Sequence, residues 1–189
     1  METTNILIVG VGGQGIVLAG DLITMAAMKA GFSAKAAEIH GMSQRGGSVL
    51  SEVRFGKEVF SPIVPAGGAD IVLAFELLEG LRALPRLKEG GVLIVNDQKI
   101  MPSSVTYGAG VYPDDVKEQI AKNPNSIIVD ALKIATEAGS SRAVNSVIIG
   151  IMAKSVSICK EHWIEAISAL VKPEYIEVNI KAFNAGYDL

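Results

Sequence analysis

The chain has 189 residues, of which 49% are hydrophobic and only 20% charged, with a mean hydropathy of +0.37. A formal net charge of −3 without any run of Lys or Arg offers no footprint for nucleic acid. A single cysteine, Cys159, excludes an internal disulfide and any iron–sulfur cluster held by this chain's own thiolates.

The length implies one domain, 1–189, large enough to bury a core without staples. Soluble domains are usually about a quarter charged, so the shortfall predicts apolar surface covered by partners. Glu2, with no Lys or Arg ahead of the first apolar run, does not fit a secretory leader. The longest apolar stretch, Ala143–Ile158, is interrupted by Asn145, Lys154 and serines, short of the roughly 18 residues a bilayer span needs. A cytoplasmic protein is expected, without membrane contact.

"NILIVG" (5–10) is a short apolar run ending in glycine, as in a strand buried on both faces. "IVLAGDLITMAAMKAG" follows as a helix with a narrow polar stripe of Asp21, Thr24 and Lys29, closed by Gly31. "SAKAAEI" (33–39) then predicts a second strand, completing a βαβ unit. "SVLSEVRFG" (48–56) alternates like a half-exposed antiparallel strand. "DIVLAFE" and "GVLIVND" predict buried strands, with a helix over "LLEGLRALPRLK" between them. "SVTYGAG" (104–110) predicts a strand, "PDDVKEQIAKN" a helix and "SIIVDA" a strand. From Ala131 onward the spacing is helical throughout. The fold class expected is therefore α/β, a Rossmann-like three-layer sandwich with a mostly parallel sheet and a helical C-terminal tail.

Two loops carry the candidate chemistry. Gly10, Gly12 and Gly15 form G-x-G-x-x-G between a strand and a helix, and with Gly13 and Gln14 they could present amides to an anion at the helix N-terminus. Glu38 lies near the end of the second strand, where a dinucleotide-binding protein keeps its ribose carboxylate. The second loop, "HGMSQRGG", gathers His40, Ser43, Gln44, Arg45, Gly46 and Gly47. Arg45 and the following amides could face a carboxylate or phosphate, and His40 could donate a hydrogen bond or relay a proton. Against these stand structural roles, namely a tight turn at the first loop and a hairpin entry at the second.

Other features read as structural. Cys159 and His162 stand three apart on a helix without a second ligand pair, and no metal site is expected. Ser140 and Ser141 before Arg142 fit a helix cap, and Asn145 and Asn179 fit satisfied amides or partner contacts.

Together, "GVGGQGIVLAGDLI", "EIHGMSQRGGSV" and "EVNIKAFNAGYDL" resemble the gamma subunit of 2-oxoacid:ferredoxin (acceptor) oxidoreductases, a family acting on pyruvate, 2-oxoglutarate, 2-oxoisovalerate and indolepyruvate. The resemblance spans essentially the whole chain. It implies oxidative decarboxylation of a 2-oxoacid to an acyl-CoA with electrons passed to ferredoxin. It also implies that thiamine diphosphate, Mg2+ and the iron–sulfur clusters sit on other subunits, while His40, Ser43, Gln44 and Arg45 contact coenzyme A or the thiamine-binding partner. The isolated chain is then inactive and self-associating. The alternatives are a free-standing NAD(P)- or FAD-dependent oxidoreductase using the glycine loop with Glu38, and a nucleotide-sensing module without catalysis.

Overall fold

The computed structural model describes residues 3–40, 47–108 and 110–189, with only the backbone at His40, Ser103 and Ser104. Six strands form one sheet in the order β2-β3-β1-β4-β5-β6. They are β1 (Thr4–Val11), β2 (Ser33–His40), β3 (Ser48–Gly56), β4 (Ala69–Ala74), β5 (Leu87–Asn96) and β6 (Ser126–Val129). The pairs β1/β4, β4/β5 and β5/β6 are parallel, whereas β3 runs antiparallel to both β1 and β2.

Strand alternation divides the apolar residues between two cores. Ile6 and Ile8 of β1, with Ile71 and Leu73 of β4, face the larger core. It is completed by α1 (Ile16–Lys29), α5 (Ala131–Glu137), α6 (Val144–Ala153), α7 (Lys160–Leu170) and α8 (Ile176–Tyr187). Leu7, Val9, Val72 and Leu93 face the opposite core, under α2 (Leu77–Ala83) and α4 (Val116–Ala121). Helices thus cover both faces of a mostly parallel sheet, as expected.

The C-terminal helices pack backbone to backbone. A Cβ added at Gly150 would lie 2.2 Å from the Phe183 carbonyl oxygen, and one at Gly186 would lie 2.1 Å from that of Val147. Glycine alone therefore permits the α6–α8 approach. At the end of α1, Gly31 adopts φ +85°, and the Phe32 N–H bonds the Ala27 carbonyl while the Gly31 N–H bonds that of Met28. This is the closing pattern that a C-terminal glycine allows.

Four expectations need correction. The βαβ unit is split: β2 runs in the same direction as β1, but β3 is inserted between them. β3 is also mostly buried rather than half-exposed, because strands flank it on both sides and α1 packs across one face. Residues expected as strand around 104–110 instead include the helical turn α3 (Ser103–Thr106), where Val105 and Thr106 donate to the Pro102 carbonyl and Gly108 turns away at φ +76°. The helix expected to reach Lys88 stops at Ala83, and after a tight turn containing Pro85 the chain enters β5 at Leu87. Proline lacks the N–H that a continuing helix requires.

Candidate functional site at the glycine loop

The glycine loop leaves the C-terminal end of β1 and enters α1 through Gly15, which caps the helix at φ +74°. Gly10 and Gly15 each answer a specific crowding, whereas Gly13 has open space and is set apart by φ +103°. A Cβ at Gly10 would lie 2.7 Å from Ile16 Cδ1 and 2.8 Å from Gln14 Oε1, and one at Gly15 would lie 2.5 Å from Asn145 Nδ2. Gly12 donates its N–H to the Gly47 carbonyl at 2.9 Å, so the two loops singled out in the sequence meet at their roots. The amides of Gly13 and Gly15 donate to no acceptor among the described residues and remain available at the start of α1.

Gln14 turns inward. Its Oε1 accepts from the Val11 N–H at 2.7 Å, while Nε2 donates to the Phe75 carbonyl at 2.8 Å and to Gln98 Oε1 at 3.2 Å. Asn96, fully buried at the end of β5, extends the network by donating to Gln98 Oε1 and accepting from the Ala131 N–H. These bonds fasten the ends of β1, β4 and β5 and the start of α5 beneath the loop.

Beside the loop opens a cavity of about 360 Å³. Gly13, Gln14, Gly15, Gln98, Arg142 and Asn145 give it polar walls, and Leu18, Phe75, Leu132 and Val144 give it apolar ones. Asn145 donates from Nδ2 to the Gly15 carbonyl at 2.9 Å, binding the first turn of α6 to the cap of α1. The exposed Arg142 has no ion-pair partner among the described residues. An unpaired guanidinium, free helix-terminal amides and an apolar wall together suit an anionic ligand that carries a hydrophobic portion.

A buried carboxylate organises the neighbouring loop. Glu76 caps α2, where its Oε2 accepts the Glu79 N–H, while its Oε1 accepts the Ile100 N–H at 3.1 Å and the Tyr112 hydroxyl at 2.7 Å. Burial and this carboxylate hold the Tyr112 phenol well above its ordinary ionisation range. Lys99 lies over the Tyr112 ring, 4.3 Å from its centre.

The sequence-derived candidates separate accordingly. Gly10, Gly12, Gly13, Gln14, Gly15 and Gly47 come together. Ser43, Gln44, Arg45 and Gly46 lie outside the described residues, as does the side chain of His40. Glu38 is exposed on β2, and the intervening β3 sets it two strands from β1, roughly 10 Å at the usual strand spacing. A dinucleotide held at the glycine loop would need that carboxylate on the adjacent strand. Arg142, Gln98 and Glu76 escaped the sequence reading. The serine before Arg142 does act as a cap, Ser140 Oγ accepting the Arg142 N–H. Asn145 and Asn179 are satisfied amides, Asn179 accepting from Ser146 and donating to the Tyr175 carbonyl.

Comparison with known proteins places this arrangement in context. The chain is 42% identical to indolepyruvate oxidoreductase subunit IorB of Pyrococcus horikoshii, covering 98% of this chain and 95% of that protein. It is 29% identical to the common gamma subunit of the pyruvate/ketoisovalerate oxidoreductases of Thermococcus kodakarensis, over 95% of this chain and 92% of that one. The crystal structure of the keto/oxoacid ferredoxin oxidoreductase gamma subunit of Geobacter sulfurreducens superposes with a TM-score of 0.73 at 27% identity, covering 98% and 96% of the two chains. The family model for pyruvate ferredoxin/flavodoxin oxidoreductase matches residues 5–189, and the chain belongs to that family.

Proposed function

We propose that this chain is the gamma-type subunit of a multisubunit 2-oxoacid:ferredoxin oxidoreductase acting on an arylpyruvate such as indolepyruvate. The observation that carries this reading is the near full-length identity to an indolepyruvate oxidoreductase subunit, 42% against 29% for the pyruvate/ketoisovalerate gamma subunit. The complex oxidatively decarboxylates the 2-oxoacid to its acyl-CoA and passes two electrons to ferredoxin.

The chain's donor set supports a division of cofactors between subunits. One cysteine, capping α7, does not fit an iron–sulfur cluster. Among the described residues no group of three His, Cys, Asp or Glu side chains could hold a metal ion. Thiamine diphosphate with Mg2+, bound by a partner subunit, supplies the chemistry that cleaves the carboxylate from the oxoacid. A second, ferredoxin-like partner region carries the clusters.

Coenzyme A does fit this chain. The amides of Gly13 and Gly15 and the guanidinium of Arg142 suit its phosphates, with Asn145 keeping the Gly15 carbonyl turned away from them. His40, Ser43, Gln44, Arg45 and Gly46 are proposed as further contacts to coenzyme A or to the thiamine-bearing partner. This chain's work is to bind and orient the thiol carrier and to keep water out.

The test is co-expression with the thiamine-binding and ferredoxin-like partners. Co-purification and viologen reduction that require both oxoacid and coenzyme A, with arylpyruvates preferred over pyruvate, are expected. Preference for pyruvate or 2-oxoglutarate would overturn the substrate assignment, and failure to associate would overturn the subunit assignment.

A further inference from the structure

We propose that Glu79 is a positioning residue for the glycine loop, acting through Ser48 to hold Gly47 against Gly12 at a fixed spacing. The functional part of this proposal rests on the coenzyme A reading above. Its structural part does not.

Glu79 lies in the first turn of α2, only 5% exposed, in the smaller core. Both carboxylate oxygens are engaged, Oε2 by the Ser48 hydroxyl at 2.5 Å and Oε1 by Arg82 at 2.7 Å. Its own N–H is fixed by Glu76 at 3.0 Å. Ser48 is the first residue of β3 and stands opposite Val11, the last residue of β1. Immediately before it, the Gly47 carbonyl receives the Gly12 N–H.

At this point the β1–β3 ladder ends and the flanking residues are glycines, which have the greatest backbone freedom of any residue. Backbone pairing alone leaves the Gly12–Gly47 contact at a fraying end. The Ser48–Glu79 bond pins that end to α2, whose cap Glu76 also holds the loop bearing Ile100 and Tyr112. One short helix thus registers the start of β3 against the loop bearing Ile100 and Tyr112.

Burying the Glu79 carboxylate is costly even with Arg82 paired to it, and an apolar side chain could fill the same volume. Glu79 touches neither the cavity lining nor the glycine amides, so its contribution runs through Ser48.

The assembled complex provides the test, with Ser48→Ala, Ser48→Thr and Glu79→Gln. The first readout is hydrogen–deuterium exchange in the peptide spanning Gly10–Gly15, which needs no substrate. Ser48→Ala is expected to accelerate exchange at Gly12, and Ser48→Thr, which keeps the hydroxyl, to restore protection. The second readout is kinetic: Ser48→Ala should raise the KM for coenzyme A by up to roughly tenfold while kcat at saturation changes little, and Ser48→Thr should recover the KM; the melting temperature of Ser48→Ala should also fall, because the buried Glu79 carboxylate loses a partner. Ser48→Ala and Glu79→Gln combined should be no worse than the more severe single change. Unchanged exchange at Gly12, or faster exchange that threonine fails to rescue, overturns the proposal. Faster exchange in Ser48→Ala, rescued by threonine, in a complex whose wild-type turnover ignores coenzyme A keeps the positioning role and sinks the coenzyme A reading instead.

Discussion

Asn145 donates its side-chain amide to the carbonyl of Gly15 across 130 residues of sequence. The bond makes the helical tail part of the site, because it fastens the start of α6 to the residue that caps α1. It also explains the left-handed glycine, since the same amide lies 2.5 Å from where a Gly15 Cβ would be. Gly15→Ala is therefore expected to destabilise the protein by about 1–3 kcal/mol, through backbone strain and collision together. In an Asn145→Ala background the collision is gone and only strain remains, so the same substitution should cost less. Urea unfolding of the wild type, the two single variants and the double variant measures the difference; equal costs in both backgrounds would rule out the steric contribution.

The Tyr112–Glu76 pair makes a prediction about alkaline pH. The phenol ionises above its ordinary value of 10.0 when folded, because it is buried and donates to a carboxylate. Below pH 10 both states keep the proton and the full contribution is present. Above it the unfolded chain loses the proton while the folded chain retains it, so stability falls as pH rises. Tyr112→Phe should remove that part of the decline and should cost about 1.5–3 kcal/mol at neutral pH, because Glu76 loses a charge-acceptor bond. Denaturation between pH 8 and 11 checks both effects.

What the sequence disclosed follows from the range of the interactions involved. The apolar runs that became β1, β4 and β5 are local, as is the helical spacing after Ala131, so the layers were legible. The insertion of β3 between β1 and β2 was not, because strand order depends on pairings such as Glu38 with Ser51 that no local pattern encodes. The segment 104–110 misled through its Val, Thr and Tyr, residues that favour strands, while Pro102 and Gly108 imposed a helical turn. At the site, the glycines and their crowding were readable from spacing. Arg142 looked like part of a helix cap because its nearness to Gly13 arises only when α6 folds back onto α1.

Strand order also bears on the glycine loop's ligand. With β3 between Glu38 and β1, the loop lacks the neighbouring carboxylate that grips an adenosine ribose. Calorimetry of the complex with NAD(H), NADP(H) and FAD should show no micromolar binding. A heat of binding at that affinity would restore the free-standing oxidoreductase as the better reading.

The α6–α8 contact predicts where the tail is least tolerant. Gly150→Ala and Gly186→Ala each drive a methyl into an opposing backbone carbonyl, and a backbone cannot swing aside as a side chain can. Each should cost at least about 3 kcal/mol, at the upper end for overpacking. Thermal unfolding, compared with an exposed control such as Ala169→Gly, separates this collision from ordinary helix propensity.

The coenzyme A proposal gives an anionic carrier two arginines, Arg142 beside the glycine loop and Arg45 in the second loop. Arg142 stands at the cavity wall without an ion-pair partner among the described residues, so turning its guanidinium toward a phosphate breaks no ion pair there. Arg45 belongs to the second loop and is proposed to act at the face toward the partner subunit. Losing either charge-assisted contact should weaken coenzyme A binding by roughly ten- to a hundredfold, corresponding to about 1.5–3 kcal/mol. Lysine should rescue only in part at both positions, since a point charge cannot reproduce the planar fork. The two sites differ in their second effect. Arg142→Ala should leave co-purification of the partners intact, because α6 is otherwise held by its buried face, whereas Arg45→Ala should also loosen assembly if its loop meets the thiamine-bearing subunit. Steady-state kinetics against coenzyme A, paired with co-purification for each variant, tests the assignment. An unchanged KM in Arg142→Ala would remove the cavity from the coenzyme A site, and full assembly with normal turnover in Arg45→Ala would reduce the second loop to a structural turn.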